Sequence, residues 1–314
     1  MPRIGVLFCL VSAAAFGAMG IFGKLAYDEG STVGTLLACR FVFAAAILWL
    51  FMACAGRLRA VRALPRRDLV IAVALGAIGY GAQAGGYFTA LDRIDASLLS
   101  LLVYTYPVIV TVAAIALGRE LASRRTALAL VLASTGLVLV LAGAASGALD
   151  AIGAALGLGT AIVYSTYILS SEGVSGRVEP LVLSTLVCTG AAVSLTLGSL
   201  AGGDLDPGSV SAGGFGWLGA LALVSTVGAV ALFFAGLRRV GPTAASILST
   251  LEPVVTVALA FVVFGESLGP VQLAGGLLVL LAVLAVRVPA RLAGAQAQPT
   301  PKWTLQPRLE RECP

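Results

Sequence analysis

The chain has 314 residues, 59% of them hydrophobic and 11% charged, with a net charge of +5 and no histidine. A soluble domain carries about 25% charged residues, so a soluble globular fold is excluded and an integral membrane protein is expected. The missing histidine removes HExxH zinc chemistry and any histidine-activated nucleophile, and no GxGxxG or GxxxxGK[ST] loop offers a nucleotide site.

A membrane-crossing helix needs about 20 mostly apolar residues. Cutting at charged and turn-rich breaks predicts ten, at residues 4–23, 32–56, 69–91, 96–117, 126–146, 151–170, 181–201, 215–236, 243–264 and 271–286. Their length and their Leu, Ala, Val and Gly content suit helices, since barrel strands are shorter and alternate in polarity. The expected class is an all-α polytopic membrane protein. Little is left between the spans for a soluble domain.

The first span follows Arg3 and contains SAAAFGA, a pattern shared with signal peptides; the repeat described below needs it as a helix. The second span carries Arg40 eight residues in, about 12 Å from its start at 1.5 Å per residue. An arginine there binds an anionic group, pairs with an acid such as Glu252, or snorkels to the surface. All three readings stand. The third and sixth spans contain GxxxG spacings at Gly81–Gly85 and Gly153–Gly157, which permit close helix approach within one subunit or across a homodimer. Tyr104 and Tyr106 in the fourth span and Tyr164 in the sixth place hydroxyls mid-span, as candidates to line a cavity. Tyr80, Gln83, Tyr87 and Tyr167 also carry polar tips, and Trp49 and Trp217 are expected as interface anchors.

The ninth span holds STLEPVVTV at residues 249–257, with Glu252 about 15 Å from the start of the span. A charged group at mid-membrane costs about 2.5–3.5 kcal/mol on insertion scales, so such an acid faces a cavity, a partner or a proton. Pro253 removes a backbone donor and frees a carbonyl one turn earlier. Glu252 is the leading candidate for solute or proton binding, and a packing hydrogen bond is the structural alternative. Cys9, Cys39, Cys54 and Cys188 lie inside spans and Cys313 in the tail, with no metal or redox spacing. No metal and no cofactor is expected. Residues 291–314 lack apolar periodicity, and a disordered cytoplasmic tail is expected there.

Charge sets the orientation, because Lys and Arg favour cytoplasmic loops. One set of connections holds seventeen basic residues, among them Arg57, Arg59, Arg62, Arg119, Arg177 and Arg238. The opposite set holds two, Lys24 and Arg93. Both termini are therefore expected in the cytoplasm. The net +5 reflects topology and implies no nucleic-acid partner.

An internal repeat follows. Residues 91–120, LDRIDASLLSLLVYTYPVIVTVAAIALGRE, align without a gap on 237–266, LRRVGPTAASILSTLEPVVTVALAFVVFGE. Arg93 falls on Arg239, Pro107 on Pro253, and Glu120 on Glu266, a constant offset of 146. That offset spans five helices, an odd number, so the second copy enters the membrane inverted. Inverted repeats belong to secondary transporters that bind solute near the midplane between the halves. Pro107 and Pro253 are candidate helix hinges.

These segments, with CRFVFAAAIL around Arg40, resemble the EamA-domain exporters of the drug/metabolite transporter superfamily, over about residues 4–287. The resemblance implies two five-helix repeats, 1–146 and 147–290, and solutes ranging over amino acids, other metabolites, sugars and toxic compounds. One departure is visible: the first half has Tyr106 where the second has Glu252. The expected protein is a non-enzymatic secondary transporter of the bacterial inner membrane. It would export a small organic metabolite, an amino acid or related solute, by alternating access, with proton coupling at Glu252 as an option. Efflux of lipophilic cations and a lipid-handling scaffold are the alternatives.

Overall fold

A computed structural model describes residues 2–91, 93, 99, 102–141, 150–264 and 269–285. Among the described residues every regular element is helical. The first apolar stretch runs as α1 (Pro2–Gly17) and α2 (Met19–Asp28), joined through Ala18 by unbroken helical hydrogen bonds. Thr32 accepts from Thr35 N at 3.1 Å and so caps α3 (Val33–Cys54). After the short α4 (Leu58–Arg62), the third stretch is α5 (Arg66–Ala74), a π-turn at Leu75–Tyr80 and α6 (Gly81–Leu91). Next come α7 (Tyr106–Ala116) and α8 (Arg124–Leu141).

Asp150 caps α9 (Ala151–Ser175), and Pro180 opens α10 (Pro180–Gly202). The eighth stretch repeats the third: α11 (Ala212–Ala222), a π-turn at Leu223–Gly228 and α12 (Ala229–Val240). The last elements are α13 (Pro242–Ser249), α14 (Leu251–Phe264) and α15 (Pro270–Ala285). Among the described residues six helical segments are long and apolar enough to cross a membrane, with Tyr106–Ala116 and Leu273–Ala285 as shorter apolar helices. The tail from 291 and Glu266 lie outside the described residues.

Helix packing repeats across the two halves. The α1 helix packs on α12, and its counterpart one half-chain later, α9, packs on α6, the counterpart of α12. The pairs α3–α10 and α8–α15 each join a helix to its own counterpart, and α7 packs on α13, the helix before its counterpart α14. This is what a twofold relation between the halves demands. Close approach at α10 needs glycine on both sides. A Cβ on Gly76 would collide with the carbonyl oxygen of Val187, and one on Gly190 with that of Val73. The GxxxG spacings contribute less: nothing lies near Gly85, while Gly157 meets Leu99 and Leu102. Trp49 also departs from expectation. Its indole donates to Thr189 Oγ1 at 2.9 Å, so it bridges α3 and α10 inside the bundle.

Candidate solute cavity

The ninth stretch breaks where its sequence requires it to. Pro253 has no N–H for the carbonyl of Ser249, and Thr250 N turns to Ile247 O at 3.1 Å. The Ser246 carbonyl, left by that tightening, accepts the Tyr106 hydroxyl at 3.4 Å. The same break occurs before Pro107, where Thr105 N donates to Leu102 O at 3.2 Å. Each proline opens a new helix, α7 or α14. The acid next to it, Glu252, sits in the first turn of α14, whose free N–H groups favour a negative charge.

Opposite this turn lies α1. A Cβ on Gly17 would lie 2.8 Å from the Glu252 carbonyl oxygen, so glycine lets α1 rest directly on the backbone there. Thr256 ties the two together, donating to Gly17 O at 2.9 Å. A cavity of about 420 Å³ opens beside them, and both Glu252 and Pro253 line it. Its size is that of a small-molecule site.

The wall is aromatic. Tyr104, Tyr106 and Tyr164 all line the cavity. Their rings form a chain, with Tyr104 5.7 Å from Tyr106 and Tyr106 4.6 Å edge-on from Tyr164. The chain continues through Tyr167, 6.2 Å on, to Tyr80 at 5.6 Å and Phe41 at 5.0 Å. Such edge and offset pairs suit the ring quadrupoles. Tyr106 is buried at 2% exposure and anchors the chain.

Arg40 lies at the other end of that chain and also lines the cavity. It is 5% exposed, so its guanidinium does not reach the surface. Nε donates to Thr226 Oγ1 at 2.8 Å, Nη2 to Ser225 O at 3.4 Å, and the guanidinium carbon sits 4.9 Å over the Phe41 ring. No ion pair joins Arg40 to Glu252 among the described residues. The structure thus places all five candidate side chains, Arg40, Tyr104, Tyr106, Tyr164 and Glu252, around one space. It adds Lys24, Tyr80, Gln83, Tyr87 and Thr256. Lys24 reads as a loop charge in the sequence, but α2 runs on to Asp28 and carries it to the cavity, 4.1 Å over the Phe264 ring.

On α2 and α3 the lining residues come from the parts of the helices nearest residues 29–32, while Tyr164, Glu252 and Pro253 lie near mid-span. Toward the N-terminal end the bundle is filled by buried Tyr167, Phe233, Phe234 and Leu248. Ion pairs then join the first half of the chain to the second at that end: Arg57 with Glu179, Arg119 with Glu172 at 3.3 Å, and Arg177 with Asp68 at 2.7 Å. Thr243 N adds a bond to Glu120 Oε1 at 3.4 Å. Packing and ion pairs close this end; the other end is bridged between the halves as well, by Gly34 N to Asp204 Oδ2 at 2.6 Å, Asp206 N to Thr35 Oγ1 at 2.8 Å and Arg93 to Asp150 at 3.5 Å.

Residues 3–142 and 151–288 each match the EamA-like transporter family. The chain belongs to that family. Over 277 residues it is 26% identical to YcbK, an uncharacterized transporter of Bacillus subtilis strain 168, spanning 86% of this chain and 88% of that protein. A solved crystal structure shares the fold at a TM-score of 0.77, with 16% identity over 90% of this chain and 95% of the other. As an EamA-like transporter the chain is a multi-pass membrane protein, and its two family matches leave residues 143–150 between them.

Proposed function

We propose that this EamA-like transporter is a secondary active exporter of a small organic metabolite, an amino acid or related solute. Ten helices would cross the bacterial inner membrane as two inverted repeats, 1–146 and 147–290, with both termini and the 291–314 tail in the cytoplasm. The observation that carries the reading is the cavity in which Glu252 of one half meets Tyr104 and Tyr106 of the other. A cationic group of the solute would sit by Glu252 among the tyrosine rings, and the rest of the solute against the apolar wall. Exchange of that group for a proton on Glu252 would couple transport to a proton gradient. Pro107 and Pro253 would act as hinges, and rocking of the halves would move the opening from one end to the other.

The tyrosine lining beside a carboxylate equally suits a lipophilic cation, which makes multidrug efflux the second reading. Untargeted comparison of solutes released by cells with and without the protein separates the two. Loss of one metabolite from the medium on deletion supports metabolite export. Unchanged release together with sensitivity to cationic dyes supports efflux.

A further inference from the structure

Both π-turns, 75–80 and 223–228, occupy corresponding places in the repeat, within two residues of the 146-residue offset. A π-turn breaks the regular hydrogen-bond ladder and leaves backbone acceptors to be satisfied from elsewhere. The two turns meet this need differently. At the first, Gly76 lets the α10 backbone lie close, against the Val187 carbonyl, and no side-chain donor to the turn is recorded among the described residues. At the second turn a side chain of α3 supplies the donors.

That side chain is Arg40. We propose that Arg40 is a positioning residue, a clasp that holds the 223–228 turn against α3 and favours the arrangement whose cavity opens away from the N-terminal end. Its Nε–H and Nη2–H reach two acceptors of the turn, the Thr226 hydroxyl and the Ser225 carbonyl. The Thr226 hydroxyl in turn donates to the Leu221 carbonyl at 3.2 Å. Ser225 Oγ is buried with no recorded partner among the described residues, and Arg40 does not reach it. Through Phe41 the same guanidinium abuts Tyr80, the last residue of the first turn. One charged group thus joins the two irregular turns, one from each half.

The planar fork is what the site uses: two donors set at a fixed angle meet two fixed acceptors, and lysine offers no such pair. A backbone contact like that of Gly76 is permanent while the helices stay packed. A side-chain clasp can let go, and the buried charge ensures that the arrangement holding it satisfied is favoured.

The test uses the full-length protein in membranes, freed of its native cysteines and labelled with a membrane-impermeant methanethiosulfonate. One reporter is Gln83→Cys in the cavity wall, the other Ala114→Cys in the closed end. Arg40→Met, Arg40→Lys and Thr226→Val are compared with the parent at equal membrane expression. Loss of a hydrogen bond to a charged group is worth about tenfold in an equilibrium. The clasp therefore predicts about tenfold slower labelling at 83 and faster labelling at 114, and an Arg40→Met/Thr226→Val pair no worse than Arg40→Met alone. Parent-like labelling in Thr226→Val overturns the proposal, as does rescue by Arg40→Lys, which would make charge alone the requirement. If Arg40→Met does not reach the membrane, the near-isosteric Thr226→Val decides. Solute identity plays no part in these readouts.

Discussion

The two halves share a backbone plan and differ in what fills it. Each has a proline that opens a new helix and a π-turn in the helix before it. In the first half the residue before the proline is Tyr106, fully enclosed and bonded across to Ser246 O. In the second it is Glu252, at the edge of a cavity. The first π-turn rests on backbone, the second on Arg40. The polar lining is thus divided unequally: the acid, Glu252, comes from the second half, and the basic groups, Lys24 and Arg40, come from the first. A pair of identical halves would present the same site twice. Unequal halves keep the hinge geometry and make one site.

The largest expected effect comes from removing that inequality. Glu252→Gln keeps size and most hydrogen bonding but abolishes titration. In reconstituted vesicles it should insert normally, lose at least about tenfold in rate, as loss of a charged hydrogen-bond partner implies, and show a flat pH profile. A parental rate and pH profile would make Glu252 a packing residue like its counterpart.

Next in size is the backbone contact of the first π-turn. Gly190→Ala places a methyl against the Val73 carbonyl, and overpacking of this kind costs about 1–3 kcal/mol. The melting temperature in detergent should fall by several degrees, with no change in pH profile. A variant as stable as the parent would show that α10 and α5 are not held as closely as described.

A smaller effect is expected at the closed end. Arg119 and Glu172 have side chains 41% and 22% exposed, and pairs of that exposure contribute under about 1 kcal/mol. Arg119→Gln should speed labelling of Ala114→Cys by no more than about fivefold by the same measure. The swap Arg119→Glu with Glu172→Arg should restore the parental rate. Failure of the swap would leave the bond from Arg119 to Leu169 O at 2.9 Å as the working contact.

Much of this inequality is written in the sequence and some of it is not. Glu252 is legible because an acid in an apolar run is costly anywhere but at a cavity, and Pro253 because a missing N–H always breaks the ladder. The helical class follows from apolar length alone. The π-turns are not legible: LGAIGY and LVSTVG are ordinary apolar segments, and only packing against α10 and α3 selects the wider turn. Arg40 was readable as a buried charge, but its partners Ser225 and Thr226 lie some 185 residues away and carry no pattern that announces them. Lys24 is hard to place from sequence because a charge after an apolar run suggests a helix end, whereas α2 continues one further turn and brings Lys24 to the cavity.

The smallest expected effect tests the quiet side of the comparison. The Tyr106 hydroxyl makes a long bond, 3.4 Å to Ser246 O, and also lies in hydrogen-bonding reach of the Ser249 side chain; a neutral bond contributes about 0.5–1.5 kcal/mol even at good geometry. The ring does more: it packs edge-on against Tyr164 at 4.6 Å and sits 5.7 Å from Tyr104. Tyr106→Phe keeps both ring contacts, so the melting temperature should fall by only a degree or two and the transport rate should change by less than about threefold, the span of a weak hydrogen bond. Tyr106→Ala removes the ring and should cost about 3–5 kcal/mol, as large-to-small core changes of aromatics do. If Tyr106→Phe instead abolished transport with stability intact, the hydroxyl would be handling solute or proton, and the first half would share in the chemistry that the cavity geometry assigns to Glu252.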